Sequence, residues 1–222
     1  MQMYSDKPSD YFTHARIDIT PLLPPSGTPS LRALEVGCAQ GYTLDWLKKS
    51  GVCAWVAGVE PYATLSPSLN SIDQFEKIDI EAQLPAIPLS SLDLILCLDV
   101  LEHLKDPWAT LQRLDTLLKP GGRWIISVPN IRNYRLVFDL LFKGNFTYVD
   151  AGILDRTHLR FFTRQTLCDM VLATGARIDA VIDPEPKRWQ KKLLVKMGAG
   201  DLLAKQFALS AIKSIPDVNQ IT

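Results

Sequence analysis

The chain has 222 residues, of which 47% are hydrophobic and 22% charged. That is an ordinary globular composition, long enough for one domain with a sizeable core. Lys plus Arg and Asp plus Glu each number 24, so broad non-specific attraction to nucleic acid is not expected. No apolar run reaches the ~18 residues of a membrane span, and the N-terminus has no signal-peptide core. The four cysteines, Cys38, Cys53, Cys97 and Cys168, have no metal spacing; they read as small buried thiols in a reducing compartment, with a cytoplasmic location.

Taken in order, residues 1–30 form a leader within a single domain, 1–222. Phe12, Ala15 and Ile19 have helical spacing within 11–23, and the prolines at 21, 24 and 25 stop that helix. The first strand is 31–36. It runs into the small-residue stretch Gly37-Cys38-Ala39-Gln40-Gly41, and a helix follows over 42–50, closed by Gly51. Residues 53–59 are a second buried strand ending at Glu60-Pro61. A weak helix or loop covers 62–71, and a short third strand covers 75–80.

The run LDLILCL at 92–98 is almost wholly apolar, as a strand is when helices cover both faces of its sheet. Asp106 and Pro107 open the next helix, 107–118, with Trp108, Leu111, Leu114, Leu117 and Leu118 as its apolar stripe. A fifth strand spans 123–128. Residues 131–142 look helical, with Tyr134, Val137, Phe138 and Leu141 on one side. A loop-rich segment, 143–162, is dense in aromatics and charges. Thr163 caps a helix reaching 174, and a sixth strand covers 176–182. A basic amphipathic helix spans 189–203, and the last strand is 206–212. Alternating strands and helices predict an α/β fold with a doubly wound, mainly parallel sheet. The Gly-rich turn after the first strand is the expected ligand pocket.

Four blocks, in order, carry a resemblance: LEVGCAQG, GVEP, LDLILCLDVLEHLKDP and LLKPGGRWIISVPN. Together they are similar to class I S-adenosylmethionine-dependent methyltransferases over essentially the full length. The first departs from Gly-x-Gly-x-Gly by placing Ala39 at the middle glycine. The resemblance implies a Rossmann-like sheet of seven strands in the order 3-2-1-4-5-7-6, strand seven antiparallel, with S-adenosylmethionine as cofactor and S-adenosylhomocysteine as product. The G-x-A-x-G spacing also differs from the G-x-G-x-x-G of dinucleotide enzymes.

Carried onto this chain, the resemblance places Gly37, Cys38, Ala39 and Gly41 against the methionyl part and Glu35 near its ammonium, where the plainer reading is a carboxylate capping turn amides. Glu60, with Pro61 beside it, lies about 20 residues past the glycines, where an acid accepts from both ribose hydroxyls. Asp79 and Ile80 would meet the adenine, and Leu98 and Asp99 the sulfonium. Tyr11 and Arg16 in the leader are in position to cover the pocket, with Arg16 a partner for the methionyl carboxylate or else a surface arginine.

Asp99-x-x-Glu102-His103 and the later His158 are similar to a pair of blocks in ubiquinone-type and small-RNA 2′-O-methyltransferases. Three readings follow. His103 or His158, near Asp99, is a catalytic base for an acceptor hydroxyl; Asp99, Glu102, His103 and His158 hold a divalent metal; or Glu102 and His103 are structural. No resident metal is the first expectation, and the first acid here is one methylene shorter than in those relatives. Residues 130–162 are expected to form an acceptor lid, its core 143–162 holding Phe146, Tyr148, Phe161, Phe162, Arg156 and Arg160. The acceptor expected is a hydroxyl on a sugar or small metabolite, and the alternative is a non-catalytic cofactor-binding module. Lys187, Arg188, Lys191, Lys192 and Lys196 read as a solvated basic face or a peripheral membrane contact. No sequence feature specifies an oligomeric state.

Overall fold

In the computed structural model, the described residues are 14–24, 31–62, 65–67, 69–183 and 200–215. Seven strands form one sheet: β1 (Leu31–Val36), β2 (Cys53–Val59), β3 (Gln74–Glu76), β4 (Leu92–Leu98), β5 (Leu118–Pro129), β6 (Arg177–Ile182) and β7 (Gln206–Ile212). Their order is β3-β2-β1-β4-β5-β7-β6. The β1, β2, β3, β4 and β5 pairings are parallel, and β7 runs antiparallel to both β5 and β6. The expected topology is therefore present.

Strand alternation sends successive side chains to opposite faces, and each face has its own core. Leu34, Val36, Ile95 and Cys97 pack on one face with Leu111 and Leu114 of α2 (Pro107–Asp115) and Leu167 and Met170 of α4 (Arg164–Leu172). Ala33, Leu94 and Leu96 pack on the other with Leu44 and Leu47 of α1 (Tyr42–Lys49) and with Ile19 and Leu22 of the leader. All four cysteines are free thiols and three are buried.

Several boundaries differ from expectation for local reasons. The leader holds a 3-10 turn, Ile17–Leu22, rather than an α-helix from 11 onward; Pro21 lies inside it, and residues 11–13 lie outside the described ones. β3 is three residues long, so residues 77–80 leave the sheet as a loop, and no helix forms among the described residues of 62–71. α2 ends at Asp115, and β5 begins at Leu118, upstream of Pro120-Gly121-Gly122. Asp106 caps α2 by accepting from the Ala109 amide at 3.0 Å, but Trp108 is exposed rather than part of the buried stripe. Most of the basic segment lies outside the described residues; a short helix, α5 (Gly200–Leu203), precedes β7.

The helix α3 (Tyr134–Lys143) is unusual in burying no residue. Its expected apolar side, Tyr134, Val137, Phe138 and Leu141, faces outward, and Phe142 is 69% exposed.

Gly41 caps α1 at φ +90°, and a Cβ there would lie 2.4 Å from Ile72 Cδ1 and 2.7 Å from Leu65 Cδ2. Gly41→Val is expected to lower stability by about 1–3 kcal/mol through strain alone, with crowding adding to it, measured as a lower urea midpoint at unchanged slope.

Candidate functional site

The carboxyl ends of β1, β2 and β4 open into a cavity of about 550 Å³. Its floor is the turn after β1. Gly37 has φ +68°, and a Cβ there would sit 2.5 Å from Val100 Cγ2, so the residue must be glycine on steric grounds as well. The Gly37 and Cys38 amides both donate to the Val59 carbonyl, at 2.8 and 3.2 Å, which ties the turn to the end of β2. Ala39 keeps the left-handed conformation, φ 48°, at the position where the resemblance calls for glycine.

Glu60 is buried and lines the cavity. Its carboxylate accepts from the Ala39 amide at 3.2 Å and the Tyr62 amide at 3.0 Å. These bonds fix both oxygens while leaving each a further lone pair for a ligand hydroxyl. Pro61 is beside it in the wall. Asp79 and Ile80 line the same cavity; Asp79 accepts from the Glu81 amide at 2.9 Å, and Ile80 presents an apolar surface.

Glu35 is 3% exposed and lines the cavity, yet its Oε2 has no hydrogen-bond partner. Burial pushes its pKa up to about 8, opposed by a hydrogen bond from Thr43 and by the Arg16 charge, and aided by the nearby Glu60. Burial likewise raises the Cys38 thiol, which is held neutral in the floor.

Leu98 and Asp99 end β4 and line the cavity. Asp99 has φ 57°, and three donors converge on its carboxylate: Arg16 Nη1 at 2.6 Å, Ser127 Oγ at 3.2 Å and Gln206 Nε2. Arg16 also donates to both Asp18 oxygens, at 2.9 Å each. Burial works against the guanidinium charge, but these two carboxylates outweigh it and raise its pKa. Arg16 therefore faces the cavity as the middle of an ion-pair chain.

His103 also lines the cavity, with Arg156 and Leu159 from the segment after α3. His103 Nδ1 lies 3.1 Å from the Thr157 carbonyl, and His158 Nδ1 lies 3.0 Å from the Ile153 carbonyl. A carbonyl only accepts, so Nδ1 of each ring is the nitrogen that carries a proton toward it. The rings meet edge-on, 4.8 Å between centroids. His158 is buried behind His103 and does not line the cavity.

Glu102 is 1% exposed, and neither carboxyl oxygen has a hydrogen-bond partner. Burial, with Asp99 nearby, drives its pKa well up. One ligand-capable atom from each of Glu102, His103 and His158 falls within 4.8 Å of the others. Asp99, the fourth member of the expected set, is outside this group and bonded to Arg16 instead.

Of the expected cofactor residues, Arg16, Glu35, Gly37, Cys38, Ala39, Glu60, Pro61, Asp79, Ile80, Leu98 and Asp99 share the one cavity. Gly41 does not line it and acts by shaping the turn. Tyr11 lies outside the described residues. Within 143–162, Arg156, Thr157 and Leu159 reach the cavity, whereas Phe146, Tyr148 and Phe161 pack on one another and Phe162 joins the core. Sequence reasoning missed Thr43, Ser127 and Gln206, and it missed His14 at the cavity wall. Gln206 lies 107 residues from Asp99, too far for any local pattern to link them.

A family profile described as "Methyltransferase domain" matches residues 10–181. The ubiquinone biosynthesis O-methyltransferase of Aeromonas salmonicida is 30% identical over 153 residues, 65% of this chain and 62% of that protein. The chain spans about half the length of the curated relatives it matches. Among solved structures, an S-adenosylmethionine-dependent methyltransferase from Mesorhizobium loti superposes with a TM-score of 0.60 at 18% identity, over 88% of this chain and 95% of that one. The [4+2]-cyclase SpnF superposes with a TM-score of 0.56 at 15% identity, over 84% and 75%, so the fold alone does not dictate the reaction. With the strand order, the turn after β1 and a profile match over 10–181 in agreement, the chain belongs to the methyltransferase-domain family, as a class I S-adenosylmethionine-dependent member.

Proposed function

We propose that this protein transfers a methyl group from S-adenosylmethionine to a hydroxyl oxygen of a small-molecule acceptor, a sugar or small metabolite. The observation that carries this reading is that one cavity is lined both by Asp79, Glu60 and the Gly37 turn and by His103 and Arg156. A methyl donor and an acceptor have to meet in line, and positioning them is most of what such a transfer needs, because a sulfonium is already a good leaving group.

In this reading Glu60 accepts from the ribose hydroxyls, Asp79 bonds the adenine amino group and Ile80 covers its ring. The Gly37–Ala39 backbone and Glu35 receive the methionyl part. His103 takes the acceptor proton as the methyl moves, and His158 behind it orders its ring. Residues 130–162 act as the acceptor lid, with Arg156 and Leu159 as its contacts to the bound acceptor. The relatives named as ubiquinone biosynthesis O-methyltransferases support oxygen as the methylated atom. The outward apolar face of α3 supports a peripheral membrane contact; no helix among the described residues is long and apolar enough to cross a membrane.

A second reading has one observation in its favour. The partnerless Glu102 oxygens beside two imidazoles fit a divalent cation, which Glu102, His103 and His158 would hold and which would acidify the acceptor hydroxyl. In either reading, these residues serve the acceptor and leave cofactor binding to the other residues of the cavity.

Calorimetry with S-adenosylhomocysteine tests the cofactor half, and absence of binding at millimolar ligand rejects it. Glu60→Ala is expected to weaken that binding by about 1.5–3 kcal/mol, the scale of hydrogen bonds to a charged group; unchanged affinity would falsify the ribose assignment. Transfer of labelled methyl to small molecules of a cell extract separates an enzyme from a non-catalytic module. His103→Ala is expected to lower turnover by about 10²–10⁴-fold with S-adenosylhomocysteine affinity retained, and full activity removes the base. Dialysis against a chelator is expected to leave turnover intact; a loss restored by added Mg²⁺, Mn²⁺ or Zn²⁺ selects the cation reading.

A further inference from the structure

Glu35 poses a problem that its own surroundings do not solve. Its carboxyl group is buried at the end of β1, beside the Thr43 hydroxyl, and Oε2 is without a partner. A buried carboxylate left half-satisfied is costly, because the lost hydration is not replaced. The structure therefore favours either a proton on Glu35 or a cation brought to it.

Among the described residues, the groups that bear on Glu35 supply no such cation. From the leader, Arg16 directs Nε and Nη2 to Asp18 and Nη1 to Asp99, so its charge is already balanced by two carboxylates. From the end of β2 comes Glu60, an acid that raises the cost of a second negative charge. From β4 comes the Cys97 thiol and from the turn the Cys38 thiol, both driven upward by burial and therefore neutral. From α1 there is only the Thr43 hydroxyl. The result is a carboxyl group whose pKa burial lifts to about 8, facing an open cavity.

We propose that Glu35 is a neutral carboxylic acid in the ligand-free protein and loses its proton to solvent when the methionyl ammonium of the cofactor enters the cavity, so that cofactor binding releases a proton. The inference rests on the cofactor reading above. The step breaks the Glu35 O–H bond, leaves the electron pair on the carboxylate as partner to the ammonium, and passes the proton to buffer. No redox change is involved. At pH 7 the free protein holds this proton and the complex does not. Affinity therefore rises with pH and levels off above pH 8, once free Glu35 has itself ionised.

The test is calorimetric titration of the full chain with S-adenosylhomocysteine at pH 7, in phosphate and in Tris, whose ionisation enthalpies differ. Release of about one proton per ligand is expected, with the dissociation constant falling up to about tenfold per pH unit between pH 6 and 8. 5′-Methylthioadenosine has the adenosine and thioether but no ammonium, and its binding is expected to release none. Glu35→Gln is expected to bind S-adenosylhomocysteine without proton release. S-Adenosylhomocysteine binding to the wild-type chain with no proton release overturns the inference, as does equal release with methylthioadenosine. Failure of S-adenosylhomocysteine to bind at all rejects the cofactor reading itself. If Glu35→Gln does not fold, the two-ligand comparison on the wild-type chain still decides.

Discussion

A strand covered on both faces has no room for polar side chains along its length. β4 is the central case: Leu94, Ile95, Leu96 and Cys97 are all fully buried, between two separate apolar cores. Charge is therefore pushed to the strand ends, where the chain leaves the sheet. Glu35 ends β1, Glu60 follows β2 and Asp99 follows β4. Because these strands are parallel neighbours, their carboxyl ends lie side by side, and one cavity receives all three acids. The site is thus a consequence of the sheet's burial as much as of any motif.

That arrangement biases the cavity toward a cationic ligand. Arg16 balances Asp99 and Asp18, which leaves Glu60 tied to backbone amides and Glu35 with an oxygen unmet. A nucleotide phosphate would meet acids here rather than a cluster of free amides. A methionyl-adenosine carrying ammonium and sulfonium charges complements the same wall. The turn needs only close backbone approach, and the strained Gly37 and Ala39 conformations provide it.

The Glu102, His103 and His158 group is built differently. Glu102, His103 and His158 come from a 3-10 turn after β4 and from the segment after α3, and backbone carbonyls of that segment orient both rings. The Glu102 carbonyl in turn receives the Leu159 and Arg160 amides, at 2.7 and 3.0 Å. Backbone hydrogen bonds thus bring the segment after α3 to the carboxyl ends of the strands through main-chain geometry.

The alternation of strands and helices, both crossover helices beside β1 and β4, and the Gly37 turn were legible in the residues, because buried parallel strands and glycine turns have local signatures. The strand order and the place of Asp79 followed from the resemblance that the four blocks carry. The leader helix was not, since its apolar spacing says nothing of the 3-10 geometry that Pro21 and packing against α1 allow. The outward face of α3 was equally invisible, because periodicity reveals an apolar side but not the direction in which tertiary packing turns it. Only the folded chain decided that Arg16 pairs with Asp99, that Gln206 reaches the same carboxylate from β7, and that Asp99 leaves the His103–His158 group. Each depends on which distant strand end becomes a neighbour, and sheet order settles that, not spacing along the chain.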